Sequence, residues 1–161
     1  MSDCCCDRCQ SPEGVALCPR CGSRGKAVHA VTVESMLVGD AKSRFDRHSK
    51  HFFCRQADCP VVYFADQRVF MKQEIRLPVF QKEPGNRSVP VCYCFGFTSA
   101  DIQREIEATG KSTVGEEITR RIKAGECECE TKNPQGSCCL GNVRAVVKET
   151  RRSRTTSYPA G

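Results

Sequence analysis

Tryptophan is absent from this sequence, tyrosine occurs three times and phenylalanine eight times. With hydrophobic residues at 39% of 161 positions, that is a modest core for one domain or two small ones. Metal binding, which is linked to folding in small domains, is a ready source of the missing stability. Long apolar runs are lacking too. None approaches the ~18 residues of a transmembrane helix, so no membrane insertion is expected. The opening M-S-D-C-C-C-D-R is charged and has no apolar stretch of the kind a secretory signal needs. No G-x-S-x-G, H-E-x-x-H or Walker pattern occurs, and no nucleophile–base pair stands out. There is no long internal repeat.

Cysteine is abundant instead, at 14 of 161 residues, near the roughly 8–10% that marks a special scaffold. The count is even, which in an exported chain would suggest a disulfide framework. Without an export signal the expected compartment is the reducing cytoplasm, where cysteines more often bind metal or react. The formal net charge is +6, with a large share in 148–154 and 44–50. Such a balance permits a nucleic-acid partner but does not demand one. A solvated tail, plus compensation for negatively charged metal centres, accounts for it more simply.

The pattern reads as α+β: a small β-rich unit followed by a helical unit. Residues 1–17 read as a Cys-rich flexible extension. Residues 18–84 read as the β-rich unit. There, Val28, Val31 and Val33 suggest a strand passing into a short helix near residues 34–38. Further strand candidates are 51–53, 61–64, 69–71 and 75–79. Residues 82–87 form a turn-rich linker. Residues 85–150 read as the helical unit. Thr98-x-x-Asp101 and Thr113-x-x-Glu116 are capping signals, Gly110 and Gly125 are stops, and a third helix starts at Cys139 or Leu140. The basic tail, 151–161, lacks periodicity and is expected to be disordered.

Two cysteine constellations carry chemistry. Cys18-Pro-Arg-Cys21-Gly is a C-x-x-C knuckle, and Cys54 and Cys59 form a C-x4-C pair between two strand-like runs. Together they can deliver four thiolates in a tetrahedron, the geometry of a closed structural zinc site. His29, His48 and His51 are substitute ligands at most.

The second constellation has six cysteines: Cys92 and Cys94, then Cys127 and Cys129, then Cys138 and Cys139. Thiolate-only sets hold iron–sulfur clusters, and the thiols here lie next to capped helices and an Asn133-Pro134-Gln135-Gly136 turn. Cys92 and Cys94 form the secure half. Cys127 or Cys129 pairs with Cys138 or Cys139, and a second zinc site or a disulfide among the extras is the alternative.

The strings C-P-R-C-G, F-F-C-R-Q-A-D-C-P-V-V-Y-F, V-C-Y-C-F and T-K-N-P-Q-G-S-C-C-L-G resemble, in order, the N-terminal domain of archaeal-type CopZ copper chaperones. The match spans roughly residues 18–147. Residues 92–141 also resemble the [2Fe–2S] domain of bacterioferritin-associated ferredoxins. The resemblance implies zinc on Cys18, Cys21, Cys54 and Cys59. It implies a [2Fe–2S] cluster on Cys92, Cys94, Cys129 and Cys139, leaving Cys127 and Cys138 spare. It further implies one-electron reduction of Cu(II) to Cu(I), with copper ions, copper-transport proteins or a redox protein as partners. The M-x-C-x-x-C copper-carrying motif of those chaperones has no counterpart in the sequence.

Cys4-Cys5-Cys6-x-x-Cys9 is an addition that does not map onto these motifs. Its soft thiolates suit Cu(I) or zinc, as a capture arm or as an inert terminus. Three functions therefore stand open: an electron-transfer or metal-reductase module, a non-redox Cu(I) carrier, and a nucleic-acid-associated zinc protein.

Overall fold

The computed structural model describes residues 14–157. The chain forms two compact units. The first comprises residues 14–86 together with Glu128–Cys138, and the second comprises Arg87–Cys127 with residues 139–157. The architecture is α+β, as the sequence pattern indicated.

The first unit is built on an antiparallel sheet of β1 (Val15–Leu17), β2 (Arg24–Val28), β3 (His51–Cys54), β4 (Val61–Ala65) and β5 (Arg68–Met71), ordered as in the chain. Helix α1 (Ala30–Met36) and a 3-10 turn (Gly39–Arg44) lie between β2 and β3. Every residue of β3 and β4 is buried, which explains why H-F-F-C and V-V-Y-F-A read as unbroken apolar runs. One cluster gathers Val33, Met36, Phe53, Tyr63 and Phe70. The other gathers Phe52, Phe64 and Val61 with Cys18, Cys54 and Cys59. The alternation of Phe52 and Phe53 between the two clusters is the period-two pattern of a strand buried on both faces.

The second unit opens with a hairpin of β6 (Pro90–Cys92) and β7 (Phe97–Thr98). Helices α2 (Ser99–Thr109), α3 (Val114–Lys123) and α5 (Leu140–Ser157) follow. Ile102 and Ile106 of α2 and Val114, Ile118 and Ile122 of α3 form the buried stripes, at the spacing of a one-sided helix. Thr98 caps α2 as expected: its hydroxyl accepts the Asp101 amide at 3.2 Å, and the Asp101 carboxylate accepts the Thr98 amide at 2.9 Å. Gly110 ends that helix in the left-handed region, at φ 82°.

Several expectations need correction. Val15–Leu17, assigned to the extension, pairs with β2 through Val15–Lys26 and Leu17–Arg24. The remainder of the extension, with Cys4, Cys5, Cys6 and Cys9, lies outside the described residues. The Val28–Val33 strand is instead the end of β2 and the first half of α1, because burying Val33 and Met36 completely outweighs weak β propensity. Residues 75–79 form no strand; Ile75 makes one bridge, to Leu37. The Thr113 capping box does not form. Glu105 captures the Thr113 amide at 2.6 Å and its hydroxyl at 2.5 Å. The basic tail is helical through Ser157, anchored where Arg154 donates to the Ile106 carbonyl at 2.5 Å.

The boundary at residue 85 also differs. Residues 128–138, read as part of the helical unit, belong to the sheet unit. There α4 (Cys129–Lys132) packs on α1. Further hydrogen bonds bind the segment, and Gln81 donates to the Gln135 side chain. Lys26 donates to Ser137 Oγ at 2.6 Å, Thr32 to the Glu130 carbonyl at 2.7 Å and Arg76 to the Thr131 carbonyl at 3.1 Å. Tyr63 donates to the Pro134 carbonyl.

Candidate metal centre

Each cysteine pair of the first constellation occupies a hairpin turn. Cys18 and Cys21 lie in the β1–β2 turn, where the Gly22 amide donates to the Cys18 carbonyl at 2.8 Å. Gly22 has φ 73°, a left-handed conformation that glycine takes at little cost. Cys54 ends β3, and Cys59 precedes β4, with its amide donating to the Gln56 carbonyl at 3.2 Å. Because β2 and β3 run antiparallel with Gly25 opposite Cys54, the start of β2 lies beside the end of β3. Register alone therefore brings the two turns together.

All four sulfur atoms lie within 4.8 Å of one another. The Cys18–Cys59 separation is 4.0 Å and the Cys21–Cys54 separation 3.7 Å. A tetrahedron with zinc–sulfur bonds of about 2.3 Å has edges of about 3.8 Å, so the donor set fits zinc in size, number and chemistry. Cys18, Cys54 and Cys59 are buried, whereas Cys21 is exposed. None of the three histidines is in the set. His51 lies instead on β3, stacked on Phe45 with ring centroids 5.1 Å apart.

The thiols are electrostatically unequal. Burial pushes Cys54 up to about 12 and raises Cys59 as well. For Cys21, burial pushes upward, but hydrogen bonds from the Ser23 hydroxyl and amide, and then from Cys54 and Cys18, bring it down to about 6. A bound cation must therefore displace protons from buried thiols, the ordinary coupling of metal binding to proton release. The Ser23 contribution left no signal in the sequence.

The second constellation is distributed between the two units. Cys92 ends β6 and is fully buried. Cys94 is half-buried in the β6–β7 turn, which closes with the Gly96 amide donating to the Cys92 carbonyl at 2.9 Å. Cys139 is buried and its carbonyl accepts the Val143 amide at 3.0 Å, opening α5. These three belong to the second unit, with half-buried Cys127. Buried Cys129 starts α4 in the first unit, where half-buried Cys138 also lies. Asn133, 2% exposed, pins the turn between them. Its side-chain amide donates to the Ser137 carbonyl at 2.8 Å and its oxygen accepts the Gln135 amide at 3.1 Å.

The positive charge of the tail is organised as well. Arg144, Lys148 and Arg151 of α5 and Arg120 and Lys123 of α3 line a groove of about 760 Å³.

A sheet whose hairpin turns hold four thiols at tetrahedral spacing defines a cysteine-ligated metal-binding domain. Comparison with known proteins agrees and is more specific. Residues 15–76 match the family model described as the zinc-binding domain of CopZ. The X-ray structure of the Archaeoglobus fulgidus CopZ N-terminal domain superposes with a TM-score of 0.68 at 32% identity, covering 81% of this chain and 97% of that one. The copper chaperone CopZ of Archaeoglobus fulgidus is 33% identical over 123 residues, 76% of this chain. The alignment covers 57% of that relative's length. The chain belongs to the family of CopZ N-terminal domains.

Proposed function

We propose that this protein is a two-centre metal protein that transfers single electrons in copper handling. In this reading Cys18, Cys21, Cys54 and Cys59 hold a structural Zn²⁺, and Cys92, Cys94, Cys129 and Cys139 hold a [2Fe–2S] cluster. The observation that carries it is the closed four-thiol set in a chain related to a copper chaperone. The second donor set supports it by its chemistry. It is all thiol, and Cys92, Cys129 and Cys139 are buried, which suits soft metal centres.

When bound, a [2Fe–2S] group supplies one electron at a time, the stoichiometry that Cu(II) needs to become Cu(I). The chain's own contribution is to hold thiols in place. The β6–β7 turn fixes Cys92 and Cys94, the first turn of α5 fixes Cys139, and the Asn133 turn with α4 fixes Cys129. Copper ions, a copper-transport protein or a redox protein are the fitting partners, and the reducing cytoplasm is the fitting compartment for so many thiols.

The test is anaerobic purification, reduction with dithionite, and electron paramagnetic resonance before and after stoichiometric Cu(II). The proposal expects a signal from the reduced cluster that disappears as Cu(II) is consumed. Iron-containing reduced protein without a signal, or a signal indifferent to Cu(II), contradicts it. A non-redox Cu(I) carrier is the second reading, favoured by the exposed Cys21 thiol with its lowered pKa. It predicts that Cu(I) displaces zinc from the first set at equimolar ratio.

A further inference from the structure

Lys82 is an ammonium buried without a carboxylate. It ends the 3-10 turn Phe80–Lys82 and is 2% exposed. Its Nζ donates to the Gln56 carbonyl oxygen at 2.6 Å. That oxygen also accepts the Cys59 amide, the bond that closes the Cys54–Cys59 turn. The lysine therefore rests on the turn that presents two of the four thiols. Neighbouring Lys72 has its own carboxylate, Glu83, at 2.8 Å. Among the described residues no carboxylate lies within ion-pair distance of Lys82.

An ammonium removed from water and given only a neutral acceptor is a costly arrangement, and proteins keep one where an anion completes it. Four thiolates around a divalent ion carry a net charge of about −2, and Cys54 is fully buried. We propose that Lys82 is the counter-cation of the four-thiolate centre, a positioning residue that clamps the Gln56 turn and offsets the charge of the loaded site. Outer partners of this kind orient ligands and set affinity in many metal sites.

The experiment compares zinc affinity, by competition with a chromogenic chelator, in the full chain and in Lys82→Met and Lys82→Arg. Methionine keeps most of the apolar stem and deletes the charge; arginine keeps the charge and changes the shape. Lys82→Met is expected to bind zinc about 10–100-fold more weakly, with Lys82→Arg recovering most of the loss. A role in packing alone gives the reverse order. Equal affinity in Lys82→Met and the unchanged protein, or Lys82→Arg as the weaker of the two, overturns the proposal.

A readout on the unaltered protein covers the case in which Lys82→Met does not fold. In the zinc-loaded chain, Lys82 is expected to be acetylated far more slowly than exposed Lys123. Equal labelling of the two overturns the proposal as well.

Discussion

The phenolic hydroxyl of Tyr63, on the wholly buried strand β4, donates a hydrogen bond to the backbone carbonyl of Pro134, 71 residues further along the chain. Sheet and turn are thereby joined at a point where neither group can reach water. Tyr63→Phe removes the donor and leaves a buried acceptor unpaired, which costs about 1–3 kcal/mol. Urea unfolding of the zinc-loaded protein measures it. Zinc content is expected to stay unchanged, while cluster content falls if Cys129 is a ligand, since α4 belongs to the same docked segment.

Gly25 leaves no room for a side chain. A Cβ there would sit 2.5 Å from Cζ and 2.7 Å from Cε1 of Phe64. Gly25→Ala is expected to cost about 1–3 kcal/mol through overpacking. Because Gly25 is opposite Cys54 in the register, the substitution is also expected to weaken zinc binding. Gly115→Ala, with open space around it, serves as the control. Thermal denaturation separates the two.

Zinc binding should release protons. Cys54 and Cys59 are held above the ordinary 9.0 by burial, so both are protonated at neutral pH, while Cys21 near 6 is largely thiolate already. Calorimetric zinc titrations at pH 7 in buffers of different ionisation enthalpy are expected to show release of at least two protons per ion. Release of none would mean that the buried thiols are not the ligands. Acidification is expected to expel the metal for the same reason.

His51 gives stability its own pH dependence. It is 2% exposed, and neither ring nitrogen finds a hydrogen-bond partner among the described residues. Burial, and next the Arg68 charge, lower its pKa below 6.5; the Asp46 and Asp66 charges pull the other way. The unfolded chain therefore takes up the proton first. The contribution of neutral His51 is complete above about 6.5 and declines as pH falls from there toward the folded-state value. His51→Phe is expected to flatten the loss of stability between pH 7.5 and 5.5, read as a difference in urea midpoints. Identical slopes would count against a buried neutral imidazole.

The sequence revealed most where the signal is local. The C-x-x-C and C-x4-C spacings, the apolar runs of β3, β4 and β5, and the Thr98–Asp101 cap each depend on neighbours in the chain. What stayed hidden depends on distant partners. The docking of residues 128–138 rests on Lys26, Thr32, Tyr63 and Arg76, none of which advertises a partner 55 to 111 residues away. Thr113 carried a sound capping pattern, yet Glu105 on the preceding helix took its hydroxyl. Lys82 reads as an ordinary linker lysine, and only the fold places it over the Cys54–Cys59 turn.

The central claim is that two different metal centres share this chain. Zinc, iron and acid-labile sulfide, measured together on anaerobically purified protein and on Cys129→Ser, test it most directly. The account predicts about one zinc, two irons and two sulfides per chain, with iron and sulfide lost and zinc retained in Cys129→Ser. Zinc alone in the unaltered protein, or iron and sulfide undiminished in Cys129→Ser, contradicts it.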